Sequence, residues 1–416
     1  MNTITESPAR SVANKTAGPA FADRISQRLW FLDPAELCER ARRHTGLGDF
    51  GDPPVEQPLA ILAASLESEA GLHPLGRFLM RMHLLGILET RLRLMEAWRE
   101  NSGVLANAAV PRPVFITGMP RSGSTFLHEL LAQDPEHRSP KAWEVMFPLP
   151  APEIEKGDRD SRVRKAAACL WWFRRLAPQA DAVYPLRACT PHECVAIHSY
   201  TFRSEEFVST CRIPSYEKFL RAEGLLPAYR WQKRFLQHLQ SRWPAKQWSL
   251  KSPDHLCSLE ELFSVFPDAV IIHTHRNPLE VLKSSIQLTK VLHGLFSRPG
   301  DGGQLQDQQA RALAERVEGS IRFRDRHPQL AGRFCDVSYA ELISDPLATI
   351  RRIYLHLDRE LAPEVTQRMR QLIATRSRYR RRGRAAATGL DLSSETGRFQ
   401  TYCRRFDIPC QVPKPG

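Results

Sequence analysis

A chain of 416 residues, 42% hydrophobic and 25% charged, is long enough to bury a substantial core without covalent staples. Fifty-nine Lys and Arg against 46 Asp and Glu leave a net charge of +13, which suits an anionic ligand or surface but does not choose among nucleic acid, membrane and a small polyanion. Nine cysteines, an odd number with no Cys-x-x-Cys pair, argue against a disulfide framework or a zinc module and read as buried thiols in a reducing compartment.

The first 23 residues are polar and rich in Ser, Ala and Thr, with no apolar run of signal-peptide type, and are expected to form a disordered tail of a soluble, cytoplasmic protein. From residue 24 to 110 apolar residues recur at helical spacing, as in Leu59, Leu62, Ala63 and Leu66, and again in Phe78, Met82, Leu85, Leu88, Leu92 and Met95. Arg81 and His83 interrupt the most apolar stretch, so no transmembrane helix is expected there.

Residues 111–416 are expected to form the α/β domain. Val114-Phe-Ile-Thr is a short apolar run that ends at Gly118, and a helical pattern follows from Thr125. Gln247-Trp-Ser-Leu opens a second unit, which passes through a helical pattern at 256–266 to the strand-like Asp268-Ala-Val-Ile-Ile-His-Thr-His. Asn277 and Pro278 supply an N-cap and a first-turn proline for the next helix. A further strand at 333–339 is followed by helices near 347–357 and 363–375. Strands alternating with helices predict a P-loop-like three-layer fold, a central and mostly parallel sheet flanked by helices and preceded by the helical N-terminal region.

Gly118-Met-Pro-Arg-Ser-Gly-Ser-Thr falls at the strand-to-helix turn, where backbone N–H groups and the helix dipole converge on an anion. The spacing is that of a nucleotide-binding loop, but Ser124 stands where the lysine that reaches β- and γ-phosphates should be. Arg121 places a cation within the loop, Gly123 permits close approach, and Ser122, Ser124 and Thr125 carry hydroxyl donors. A triphosphate is poorly served, which weakens the alternative of a P-loop kinase.

The run Pro120-Arg-Ser-Gly-Ser-Thr-Phe-Leu-His resembles the 5′-phosphosulfate-binding loop of sulfotransferases, especially the bacterial branch similar to tyrosylprotein sulfotransferases, and the likeness extends over residues 113–358. The resemblance implies a transfer of a sulfuryl group from 3′-phosphoadenosine 5′-phosphosulfate (PAPS) to an acceptor hydroxyl or amine, leaving adenosine 3′,5′-bisphosphate (PAP), with no metal. Arg276, at a strand end, and Ser284, eight residues later, resemble the family's 3′-phosphate motif. Tyr339 matches the tyrosine that approaches adenine. Arg382, Gly383 and Arg384, in the basic tract 376–384, fall where the family places a loop over the 3′-phosphate.

Sulfuryl transfer requires a base at the acceptor and a cation at the leaving oxygen. By resemblance Lys251 is the cation, while Glu144 and His255 are two candidate bases left open; an unperturbed imidazole pKa of about 6.5 suits the second. His192 and Glu193 lie in the variable segment between the two donor motifs and are left outside the expected site. His273 and His275 share a strand face at a spacing that can bind metal, but no third ligand is evident, and a packed strand end is expected. A nucleic-acid-binding role for the basic tract lacks interleaved aromatics or a recognition motif, and no such partner is expected. The acceptor, a small-molecule, lipid or peptidyl hydroxyl, and the oligomeric state are not readable.

Overall fold

A computed structural model describes residues 29–149, 160–176, 178, 186–298, 302–380 and 392–410. The N-terminal helical pattern resolves into α1 (Pro34–Thr45), α2 (Glu56–Ser68) and α3 (Pro74–Glu100). Asp33 caps α1 by accepting the Ala35 N–H at 2.8 Å, and Gly46, at φ 70, ends it in the left-handed region.

Five parallel strands follow: β1 (Val114–Gly118), β2 (His137–Arg138), β3 (Gln247–Lys251), β4 (Val270–His275) and β5 (Phe334–Ser338), in the spatial order β2-β3-β1-β4-β5. β1 is central: Phe115 lies opposite Leu250 of β3 on one side and Ile271 of β4 on the other. All residues of β1, β3 and β4 are buried, as expected for strands covered on both faces.

Alternation along these strands sends side chains to opposite layers. Phe115, Leu250 and Ile271 join a core that includes Leu59, Leu88 and Trp98 of the N-terminal helices, so those helices form part of one layer rather than an appendage. Val114, Ile116, Val270 and Ile272 face the other way, onto Leu127, Leu130 and Leu131 of α4 (Ser124–Leu131) and onto Ile350 and Ile353. The three-layer arrangement predicted from the alternating pattern is thus present.

Five further helices bear on the site: α5 (Ala142–Met146), α6 (Ser161–Leu176), α7 (Leu226–Arg242), α8 (Leu259–Val265) and, after β4, α9 (Pro278–Phe296). Asn277 caps α9 as expected, accepting the Leu279 N–H at 3.0 Å. The helical stretch expected at 256–266 divides into a 3-10 turn, Pro253–Cys257, and α8, because Ser252 caps the turn and redirects the chain. Among the described residues no helix is long and apolar enough to cross a membrane.

One buried cation fastens the N-terminal layer. Arg91 of α3 is fully enclosed and donates to the carbonyls of Phe50 (2.7 Å), Pro53 (2.6 Å), Gly51 (3.2 Å) and Tyr200 (2.7 Å), with its guanidinium 4.1 Å from the Trp231 ring centroid. The planar fork satisfies four acceptors from two distant segments at once, which a lysine cannot do. Arg91→Met keeps much of the volume but leaves these carbonyls without donors, so urea unfolding should show a loss of about 3 kcal/mol or more. A change under about 1 kcal/mol would deny Arg91 this fastening role.

Candidate active site

The carboxyl ends of β1, β3 and β4 converge on one crevice. The helix following β1 packs on one face of the sheet and the helix following β3 on the other. Open α/β sheets bind ligands where the connections diverge in this way.

The loop from β1 to α4 is held by three unusual backbone conformations and a hydroxyl relay. Gly118 (φ 149), Arg121 (φ 66) and Gly123 (φ 94) all have positive φ. A Cβ on Gly118 would lie 2.3 Å from Thr274 Oγ1, and one on Gly123 would lie 3.0 Å from the Tyr339 ring, so both positions require glycine. Ser122 departs from expectation. Its side chain is buried and points inward, with Oγ 2.6 Å from the Met119 carbonyl and 2.6 Å from Thr274 Oγ1, while Thr274 Oγ1 lies 3.0 Å from the Thr117 carbonyl. The hydroxyl therefore shapes the loop instead of facing an anion. Ser124, at the first turn of α4, is also buried, whereas Thr125 is exposed on the crevice side.

The 3′-phosphate candidates are brought together. Arg121 Nε donates to Ser284 Oγ at 3.2 Å, and Arg276 Nη1 donates to the Arg121 carbonyl at 2.8 Å. The Arg276 guanidinium stacks 4.1 Å from the Tyr339 centroid and is steadied by Glu280 at 2.8 Å. Partial burial and the adjacent Arg276 charge lower the pKa of the Arg121 guanidinium. Two cations, a hydroxyl and an aromatic face thus surround one corner of the crevice. Arg382, Gly383 and Arg384 lie outside the described residues.

Lys251, the last residue of β3, is 2% exposed. Its Nζ donates to Thr125 Oγ1 at 3.2 Å and forms a close ion pair with Glu193. A buried ammonium needs such a partner. Lys251 also lines a small cavity with Thr125, His128, Glu129, Leu186, Thr190 and Pro191. His128, whose Nε2 lies 3.0 Å from the Ser249 carbonyl, is neutral there, because burial and the Lys251 charge pull it down to about 3.

Glu193 is the residue that sequence reasoning left out. It is separated from Lys251 by 58 positions, and only the third dimension joins them. A short strap holds it: Ala142 N–H donates to Thr190 O at 3.0 Å, Trp143 N–H to Ala188 O at 3.0 Å, and His192 N–H to Pro140 O at 2.8 Å. The available signal was the His192-Glu193 pair following Pro191.

Both expected bases sit differently from the sequence reading. Glu144 is 4% exposed and both its oxygens are engaged: Oε1 pairs with Arg138 at 2.5 Å and Oε2 accepts the Lys141 N–H at 2.9 Å. It caps α5 and thereby steadies the strap carrying Glu193. His255 is fully enclosed, its ring centroid 5.0 Å from that of Phe115 in a T-shaped contact and its Nδ1 2.6 Å from Tyr229 Oη. Burial, with His198 and Lys251 nearby, drives its pKa well below the ordinary imidazole value, so it is neutral, and its Nε2 has no partner.

The pair His273 and His275 does have a third neighbour, Asp336 of β5, contrary to the sequence reading. The Arg324 guanidinium already forks onto Asp336 at 2.7 and 2.9 Å, and His275 Nδ1 lies 3.0 Å from Tyr402 Oη. Although burial opposes it, hydrogen bonds from His275 and Arg324 hold the Asp336 carboxyl far below its usual range. The cluster is already supplied with a cation.

Comparison with known proteins agrees with this architecture. The omega-hydroxy-beta-dihydromenaquinone-9 sulfotransferases Stf3 of Mycobacterium bovis and Mycobacterium tuberculosis are each 29% identical over 292 residues, 64% of this chain and 68% of theirs. The solved structure of STF1 from Mycobacterium tuberculosis H37Rv superposes with a TM-score of 0.75 at 29% identity, covering 88% of this chain and 98% of that one. STF9 from Mycobacterium avium does so with a TM-score of 0.78 at 28% identity, covering 91% and 98%. The profile of the sulfotransferase family matches residues 113–363, which contain the loop, Glu193, Lys251, Arg276 and Tyr339. The chain therefore belongs to the sulfotransferase family, and it is an enzyme of sulfuryl transfer.

Proposed function

We propose that PAPS is the donor and that the acceptor is the terminal hydroxyl of a lipid-like molecule, the reaction taking place at Lys251. The observation that carries this reading is the buried Lys251, poised between Thr125 of the loop and Glu193. A donor with both a 5′-phosphosulfate and a 3′-phosphate suits the loop lined by Gly118 and Gly123 and the Arg121, Arg276 and Ser284 corner, with Tyr339 beside it for the base. When bound, PAPS supplies a sulfuryl group on an activated phosphate oxygen.

The protein's residues then divide the work. Backbone N–H groups and the Thr125 hydroxyl hold the 5′ end at the start of α4. Lys251 meets the charge that grows on the bridging phosphate oxygen as its bond to sulfur breaks. Glu193 accepts the acceptor's proton as that oxygen bonds to sulfur, so the proton leaves the hydroxyl and PAP leaves with the electron pair of the cleaved bond. Glu144 and Arg138 act at one remove, by holding α5 and the strap. The enclosed Nε2 of His255, lacking any partner, favours a second reading in which this imidazole takes the proton after the acceptor opens the site.

The acceptor class rests on two supports. The cavity beside Lys251 has a volume of ≈ 20 Å³, room for little more than a hydroxyl and so suited to the end of a chain presenting a primary alcohol. The Stf3 relatives are sulfotransferases of an omega-hydroxylated menaquinone derivative.

Calorimetry should find PAP bound at least about tenfold more tightly than ATP, and Arg276→Ala should erase most of that preference. Equal affinities in the unmodified protein would sink the donor assignment. With labelled donor and a long-chain omega-hydroxy isoprenoid, Glu193→Gln should lose about 10²–10⁴ in turnover while still binding PAP. Normal turnover in Glu193→Gln together with that loss in His255→Asn would transfer the role to the imidazole.

A further inference from the structure

We infer that α6 is a docking surface for an anionic lipid bilayer, carried on the same packed unit that walls the acceptor cavity. This deepens the reading of a lipid-like acceptor and rests on it for its purpose, though not for its physical basis.

α6 reads Ser-Arg-Val-Arg-Lys-Ala-Ala-Ala-Cys-Leu-Trp-Trp-Phe-Arg-Arg-Leu, with five cationic side chains and no acidic one. Only Arg162, Ala166 and Leu170 are buried, a narrow line at i, i+4 spacing that fastens one edge to the protein. Arg162 is internally neutralised by Asp160 at 2.6 Å and stacks 4.5 Å from the Trp143 centroid. The outward side carries Trp171 (47% exposed), Trp172 (62%), Phe173 and Leu176, among Arg164, Lys165 and Arg175. Every other tryptophan among the described residues is buried or half-buried.

Two exposed indoles, edge to face with ring centroids 4.9 Å apart, give up apolar surface to water with nothing in the fold to gain from it. Indole rings favour the headgroup region of a bilayer, where one side is apolar and the other wet. Arginine and lysine stems beside them lie along the apolar boundary with their charges at the phosphates. A helix with this mixture and no carboxylate has the charge complementarity of an anionic surface. A protein partner of ordinary composition would not require the absence of every acidic residue.

Position relates the surface to the chemistry. Ala166 of α6 packs with Trp143 and Ala188 in one small core. Ala188 belongs to the strap, whose next turns supply Thr190 and Pro191 to the cavity of Lys251. The face bearing the tryptophans and the wall of the acceptor cavity are therefore two sides of one packed unit.

Co-sedimentation of the full chain with phosphatidylcholine vesicles containing about one-third phosphatidylglycerol tests the inference, with pure phosphatidylcholine as the control. The protein should partition to the anionic vesicles, less so at raised salt, and the exposed double variant Trp171→Ser, Trp172→Ser should lose about tenfold of that binding while retaining its PAP affinity. No preference for anionic vesicles, or undiminished binding by the variant, would overturn it. So would sedimentation showing that the two tryptophans hold a dimer of this chain while vesicle binding is absent. Vesicle binding lost in the variant, with transfer to a detergent-dispersed acceptor intact in both proteins, supports docking. Docking without transfer to any lipid alcohol leaves this surface standing and removes the acceptor reading alone.

Discussion

Everything functional in this protein depends on β1 being a strand with no free edge and no free face. It is hydrogen-bonded to β3 and β4 and buried throughout, so its carboxyl end has one permitted position and direction. The loop inherits that rigidity. Thr274 of β4 pins Ser122 from one side, and the Thr117 hydroxyl reaches the Ser252 carbonyl after β3 at 2.9 Å on the other. The three strand ends that bear the loop, Lys251 and Arg276 are thereby fixed relative to one another by backbone ladders rather than by flexible side chains. Precision of this kind lets a few cations act without reorganising.

A buried lysine has consequences for its neighbourhood. Left alone, the Lys251 ammonium would carry a desolvation cost of several kcal/mol. Glu193 offsets it, and the cost of placing that carboxylate is met by the strap, by α5 and by the Glu144–Arg138 pair. A chain of ordinary structural contacts therefore sets where Lys251 and Glu193 stand. Removing the carboxylate at Glu144 would loosen α5 and, through it, the strap that carries Glu193.

Legibility followed the range of the interaction. The β1 loop and the α9 start were readable because glycine, proline and asparagine impose backbone geometry over two or three residues, and β4 because Val270–Ile272 form the apolar run expected of a doubly covered strand. The helix α7 was not read, since its buried stripe includes Gln232 and His238 and its apolar spacing is diluted by surface charge. β2, with two residues on a sheet edge, carries no pattern at all. Within the site, Lys251, Arg276 and Ser284 were nominated by their resemblance to family motifs, and the structure sets them around the crevice. Glu193 was not nominated, because a salt bridge across 58 positions leaves no local trace, and the inward turn of the Ser122 hydroxyl was not readable because sequence cannot say which way a hydroxyl points.

The Arg121 and Arg276 corner has a thermodynamic side as well. Two guanidinium groups held against each other by the fold repel, and that repulsion belongs to the folded state alone, since an unfolded chain would separate them. An anion between them relieves it. Occupancy of the corner is consequently a source of folding stability, worth about 2.7 kcal/mol when a ligand that binds only the native state is present at a hundred times its dissociation constant. Any anion that binds this corner in the folded state would therefore raise the melting temperature as well as fill the crevice.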